Sequence, residues 1–518
     1  MEFMDIMFAT PENCNGWIYG QPNWEQTKKD LNIRELIEHF EKNHMDFPIE
    51  YLEKPCLKRE DAEYRLEIME ELGSRGDILE KIKGFCDDMR AFRKLYRDMR
   101  EEKHETQKQY RFVLAFGKYI ENLCTLKETL SEAGSAGLRY IRSVCSEITN
   151  RSETVAAYNA ACSVIRTIGD ILEKTGLHIK AREKMFSVTD CSGPSEAELL
   201  REELLDAYGL KAKPGFSVTN PAPLSFLEEK VLHMLVEADP EVFDNLRDFH
   251  EKYGGLAEDM RNSLALLPQF VFYTAYLDFA ENVKRQHTPL CRPVFDEGGF
   301  FASECAGVGL LVKFMCEGQA LQNITKNAVR LPKGGVFILS GPNQGGKTIY
   351  LKMLGTTAYL AKCGCFVFCS ECRLPFYDGI FTHFMQKETL GKSRLAEEVE
   401  RMEQSAASLS CDTLVLLNES FTSTRRKNSV KIAVHYLKKL ERIRCSVGFV
   451  SHFYEIPEIY DGGKNSIISL RCKIGEGGER TYEIHEKKGD GLAYAKDIAR
   501  SCGMTYEQII GEIRGAAK

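Results

Sequence analysis

This 518-residue chain contains no uninterrupted apolar run near the ~18 residues that cross a bilayer. Met1 to Thr10 also lacks the basic stretch followed by an apolar one that marks an export signal. Both absences point to a cytoplasmic protein with no membrane partner. Internal repeats and low-complexity tracts are missing too, which removes repeat arrays and compositionally biased tails. So is any excess of positive charge. The net charge is −7, with 31 basic and 25 acidic residues from Cys291 onward against 38 and 51 before it. An acidic first part argues against extensive non-specific grip on duplex phosphates, which relies on Lys and Arg. The strongest local exception is Arg90 to Arg100 (RAFRKLYRDMR), continued by Lys103, Lys108 and Arg111; the alternative is a solvated helix face.

What is present is an ordinary globular composition, 43% hydrophobic and 28% charged, in a chain long enough for two or more cores. Its 18 cysteines, in a long chain without an export signal, read as reduced thiols. Cys363, Cys365, Cys369 and Cys372 have a spacing compatible with zinc. Within GCFVFCSEC they read instead as small apolar fillers of a strand following a helix, and no structural zinc is expected.

Apolar residues recur every three or four positions from about Asp61 to Leu130, as in Ile78, Ile82, Phe85, Met89, Phe92 and Met99. That period predicts amphipathic helices. Further helical runs cover Glu153 to Thr175, Leu224 to Val236 and Leu264 to Val283. They surround a break rich in turn formers, including Ser192-Gly193-Pro194 and Asn220-Pro221-Ala222-Pro223. A helical arm with a small insertion at its far end fits this pattern. After Pro293 short apolar runs (Gly335-VFILS-Gly341, Cys365-FVFC, Thr413-LVLL-Asn418) alternate with helical segments, the pattern of an α/β domain with a mostly buried sheet. The expected organisation is an N-terminal segment 1–50, an all-α region 51–290 and an α/β domain 291–518.

Gly341-Pro342-Asn343-Gln344-Gly345-Gly346-Lys347-Thr348 matches G-x-x-x-x-G-K-[ST] between an apolar strand and a helix expected to begin near Ile349. That context is the one a phosphate-binding loop requires. Backbone N–H groups of such a turn face phosphates, Lys347 reaches the terminal pair, and the Thr348 hydroxyl is placed for Mg²⁺. Seventy residues on, the strand Thr413–Asn418 ends in polar groups, with Glu419 the candidate general base. Asn418 stands where an acid is usual, and an amide binds a metal-borne water without neutralising the ion, so slow turnover or weak metal binding is expected. A third apolar strand, Ser446-VGFV-Ser451, ends in His452. A histidine there is either satisfied by backbone groups or sits beside the γ-phosphate as a sensor.

GPNQGGKT resembles the GPNxGGKS/T loop of the MutS family of DNA mismatch-repair ATPases. LVLLNESFTST is similar to the family's LVLxDExxxGTST stretch, SVGFVSHFYE to its strand ending in Thr-His-Tyr/Phe, and ETLGKSRLAEEVERM to its GxSTFxxEM signature. All four stand in family order. Tyr276-LDFAENV resembles the end of the lever arm, and Lys54-Pro55-Cys-Leu with Tyr64-Arg65 the entry to the core helices. The resemblance implies an all-α core and lever followed by a P-loop NTPase (ABC-type) domain using ATP and Mg²⁺. It also implies a homodimer in which Asn343 belongs to the nucleotide loop and Ser393 reaches the partner's γ-phosphate in trans, with helical arms that close on duplex or branched DNA.

The chain departs from the pattern at Arg394-Leu395, at Ser423 and at Asn418, positions that bear on trans-activation and turnover rather than on nucleotide binding. With about fifty residues before the core and no Phe-x-Glu there, a mismatch-reading wedge is not expected. Nor is a nuclease tail, since the chain ends about sixty residues past His452. The clamp of the lever would have to fit within about 176–223. An alternative is a nucleotide-gated protein-interaction module with little ATPase turnover and no DNA. A transporter-type cassette or small-molecule kinase accounts poorly for the four motifs together.

Overall fold

A computed structural model of the chain describes residues 5–10, 24–103, 105–174, 180–182, 185–187, 243–384, 394–422, 424–453, 455–460, 467–475 and 479–486, with 506, 509 and 510. The chain divides into two compact units. One comprises Met1–Ile6 with Arg75–Phe270, the other Met7–Ser74 with Val271–Lys518.

The described part of the first unit is mainly helical. Gly76–Glu101 buries Ile78, Ile82, Phe85, Met89, Phe92, Tyr96 and Met99 along one face, three or four residues apart. That face packs on Glu105–Thr129, where Phe92 stacks on Tyr119 at 6.1 Å and Asn122 donates to the Met89 sulfur at 3.4 Å. Ala136–Asn150, Ser152–Lys174 and Asp244–Tyr253 complete the packing among the described residues. Cations of the basic stretch face acids: Arg90 bonds Asp87 at 2.7 Å and Arg111 lies 3.3 Å from Glu102. Of the region 176–223, the described part is a short antiparallel pair, β1 (Lys180–Arg182) and β2 (Met185–Ser187). The turn-rich motifs 192–194 and 220–223 and the expected helix 224–236 lie outside the described residues.

The second unit is α/β. Its strands are β3 (Val294–Phe295), β4 (Gly299–Cys305), β5 (Asn327–Pro332), β6 (Val336–Ser340), β7 (Glu371–Leu374), β8 (Gly379–Phe384), β9 (Thr413–Asn418), β10 (Ser446–Ser451), β11 (Ile467–Ile474) and β12 (Arg480–Glu486). One sheet has the order β12-β11-β6-β10-β9-β8, the other β3-β7-β4-β5. In the larger sheet every pairing is parallel except β11 with β12.

Every residue of β6, β9 and β10 is buried. Such continuous apolar runs belong to a parallel sheet covered on both faces. The helix Lys347–Lys362 covers one face, close enough that a Cβ at Gly448 of β10 would meet Leu351 at 3.0 Å. On the other face Val434 and Leu437, from the helix Arg426–Ile443, share one core with Val415, Leu417 and Phe449.

The segment Cys365 to Cys369 is not a strand. It makes a single antiparallel bridge, Cys291 with Val367, and the strand begins at Glu371. An apolar run without a continuous partner ladder stays irregular, although its cysteines are buried as expected. No metal-holding cluster of three or more His, Cys, Asp or Glu occurs among the described residues. No helix among them is long and apolar enough to cross a membrane.

Residues 24–74 contribute helices to this second unit. The helix Trp24–Asp30 lies on β8, with Asp30 accepting from Thr382 at 2.8 Å, and Trp24 stacks on Tyr359 at 5.5 Å. Arg65 is fully buried, donating to the carbonyls of Met7 at 2.8 Å and Cys363 at 3.3 Å. Its guanidinium also lies over the rings of Phe8, Tyr51 and Phe272. Tyr276 donates to the Phe366 carbonyl at 2.6 Å.

Candidate functional site

Parallel strands direct all their carboxyl ends to one edge, the usual place for a ligand in open α/β sheets. Registers pair Ser451 of β10 with Ser340 of β6, and Val450 with Asn418 of β9. Gly341, Glu419 and His452, each one residue past its strand, therefore share that edge.

The turn after β6 takes its shape from its glycines. Gly346 has φ of 90°, a conformation open to glycine at no steric cost. A Cβ at Gly341 or Gly345 would lie 2.7 or 3.0 Å from the Cys472 sulfur of the neighbouring β11. Asn343, between Pro342 and Gln344, belongs to the same turn. Gln344, also at positive φ, accepts from Arg480 of β12 at 2.5 Å. The helix begins at Lys347, two residues before the expected start near Ile349. The turn thus opens directly onto a helix N-terminus, whose free N–H groups and dipole favour an anion.

Lys347 is almost wholly buried and donates to the carbonyls of Gly341 at 3.0 Å and Pro342 at 2.8 Å. Its ammonium also lies 3.9 Å from a Glu419 carboxylate oxygen, and that carboxylate is about one-third exposed. Burial lowers the Lys347 pKa, while Glu419 opposes the shift. Thr348 donates to the Asn418 amide oxygen at 3.1 Å, joining the start of the helix to the end of β9. Burial likewise holds the His452 imidazole below the ordinary histidine range, with Glu419 pulling it up and Lys347 pushing it down. His452 follows the last residue of β10, the strand that pairs with β9, so it leaves the sheet beside Glu419. Glu419 has φ of 55°, and its N–H bonds the Val450 carbonyl at 2.9 Å.

Of the residues singled out in the sequence, Gly341 to Thr348, Asn418, Glu419 and His452 gather at this edge, whereas Ser393 lies outside the described residues. Sequence reasoning missed Glu398, whose carboxylate is buried beside the residues following Glu419. It belongs to ETLGKSRLAEEVERM, but the motif directed attention to Ser393.

The fold and site define an α/β domain with a glycine-rich turn and convergent polar groups at the carboxyl edge of a parallel sheet. Residues 337–501 match MutS domain V. It is 25% identical to the DNA mismatch repair protein MutS of Thermosipho melanesiensis over 294 residues, 56% of this chain and 32% of that protein. Identity to the DNA mismatch repair protein MutS of Petrotoga mobilis is 29% over 182 residues, 33% of this chain and 22% of that protein. With the DNA mismatch repair protein MSH3 of Arabidopsis thaliana it is 34% over 133 residues, 25% and 12% of the two chains. The matched regions thus span a third or less of these relatives' lengths.

Proposed function

We propose that the chain is a dimeric, mismatch-repair-related ATPase whose nucleotide state moves its helical arms on duplex or branched DNA. In this reading 51–290 form the core and lever and 291–518 the ATPase domain. The observation that carries it is the convergence of Lys347, the Thr348–Asn418 pair, Glu419 and His452 at the ends of three adjacent parallel strands. ATP sits on the turn Gly341 to Gly346, with its terminal phosphates at Lys347. Glu419 orients the attacking water, and His452 senses the γ-phosphate.

Thr348 Oγ1 and Asn418 Oδ1 are both oxygen donors and fit Mg²⁺, an ion that keeps waters and takes much of its ligation from nucleotide phosphates. Held by these two oxygens, Mg²⁺ would supply neutralisation of charge on the transferred group. The protein pair supplies no charge of its own, which favours slow turnover. Ser393 of one subunit completes the other's site in trans.

The test is ATP hydrolysis and binding by wild type, Lys347→Ala and Glu419→Ala. Lys347→Ala is expected to lose binding, and Glu419→Ala to bind without turnover. Full activity in Lys347→Ala would refute the assignment. For the DNA step, retention of duplex and junction DNA is measured with and without ATP across a salt series. No retention at low salt in any state eliminates DNA as the partner.

One further reading has support in Asn418 and in the acidic balance of the first 290 residues. In it, nucleotide gates a protein partner with little turnover and no DNA. Capture of a partner that survives nuclease treatment would favour it.

A further inference from the structure

Glu419 is followed by a backbone that needs holding. Glu419 and Phe421 both have positive φ, 55° and 65°, a left-handed conformation that crowds the Cβ of a non-glycine residue. Conformations of this kind persist where the surroundings over-determine them.

Two side chains from other elements do so here. Glu398, on the helix Arg394–Ala406, is 4% exposed and accepts from the Phe421 N–H at 2.8 Å. The same carboxylate oxygen lies 3.8 Å from His383 Nε2, at the end of β8. The other ring nitrogen of His383 is 2.8 Å from the Ser420 hydroxyl, itself buried. Ser420 is thus tied to His383 and Phe421 to Glu398, while the Glu419 N–H is tied to β10 through Val450. A carboxylate bonded to a backbone N–H is stronger than a neutral acceptor, and more so where water is excluded.

We propose that Glu398 is the positioning residue for Glu419: by holding the Phe421 N–H, it fixes the left-handed turn that aims the Glu419 carboxylate at the attacking water. The assignment rests on the reading of Glu419 given above. A carboxylate that only stabilises the fold would alter melting and leave the chemistry alone. One that aims Glu419 alters kcat, because a shift of about 1 Å in a reacting group costs up to roughly a hundredfold.

The experiment compares wild type, Glu398→Ala, Glu398→Gln, Glu419→Ala and Lys347→Ala for ATP kcat and KM well below the melting temperature. Backbone amide exchange of the peptide containing Phe421 is read in parallel without nucleotide. Glu398→Ala is expected to lose about 10- to 100-fold in kcat with KM within about threefold of wild type, and to exchange faster at Phe421. Glu398→Gln, which keeps an acceptor of the same shape, is expected to recover most of both.

A folded Glu398→Ala with wild-type kcat, while Glu419→Ala is inactive, overturns the positioning role and leaves the Glu419 reading standing. Wild type with no hydrolysis above Lys347→Ala removes that reading and this proposal with it. Should Glu398→Ala not fold, Glu398→Asp carries the test: its shortened reach lowers kcat, and full kcat in it overturns the proposal.

Discussion

Two of the cations buried in the second unit, Arg65 and Lys347, are held in different ways. Arg65 is fully enclosed: carbonyls of Met7 and Cys363 accept from it, and its guanidinium lies over three aromatic rings. Lys347 is nearly as buried, yet it sits on carbonyls of its own turn with a part-exposed carboxylate 3.9 Å away. Arg65 joins chain segments some 300 residues apart, so its environment is spent on cohesion. Lys347 bonds only within a local turn and beside an acid at the sheet edge, so its charge remains available to a ligand. Under the proposed function, burial alone does not separate a structural cation from a functional one; where the partners come from does.

The sharpest way to break this comparison is to remove each cation. Lys347→Ala is expected to lower ATP turnover by roughly a hundredfold or more, the scale of losing a preorganised charge at a transition state, with melting shifted little. Arg65→Ala is expected to destabilise by about 3 kcal/mol or more through an emptied core site, with nucleotide affinity of the remaining folded protein unchanged. Calorimetric melting and nucleotide titration on both variants decide it. Equal melting losses would erase the distinction.

A smaller effect sharpens the site's side of the contrast. Asn418→Asp places a charge where Thr348 now bonds an amide and is expected to lower the Mg²⁺ concentration for half-maximal turnover on the order of tenfold. An unchanged Mg²⁺ requirement would remove Asn418 from the metal side.

The smallest effect concerns His452. Its folded pKa is depressed, chiefly by burial, so the unfolded chain takes up this proton first. Its contribution to stability is full above the ordinary value of about 6.5 and drains as pH falls through that value toward the folded one. The fall in melting temperature from about pH 7.5 to 5.5 should be smaller in His452→Asn than in wild type. Identical falls would show that His452 titrates as an unperturbed group.

How much of this was legible beforehand depended on sequence distance. β6, β9 and β10 were readable because a covered parallel strand is a continuous apolar run, and the glycine turn because its residues are consecutive. The helix Gly76–Glu101 showed itself by its period. Arg65 and Tyr276 were visible as motif residues but not as buried anchors, since their partners lie up to 298 positions away. The run Cys365 to Cys369 misled because hydrophobicity reports burial, whereas a strand also needs a neighbour to bond. Glu398 stands at the Glu of the GxSTFxxEM pattern, but its task stayed hidden because its partner is a backbone amide, which leaves no mark in a side-chain pattern.

The hairpin of β11 and β12 has an effect beyond closing the sheet. Cys472 stands beneath Gly341 and Gly345, Tyr482 lies next to Gly346, and Arg480 reaches Gln344. The neighbouring strand β11 and the edge strand β12 therefore line the turn, whose aperture is set from outside its own sequence. Enlarging Cys472 by a single methyl group would act like a shim under the loop, narrowing the space above it without touching any residue of the motif.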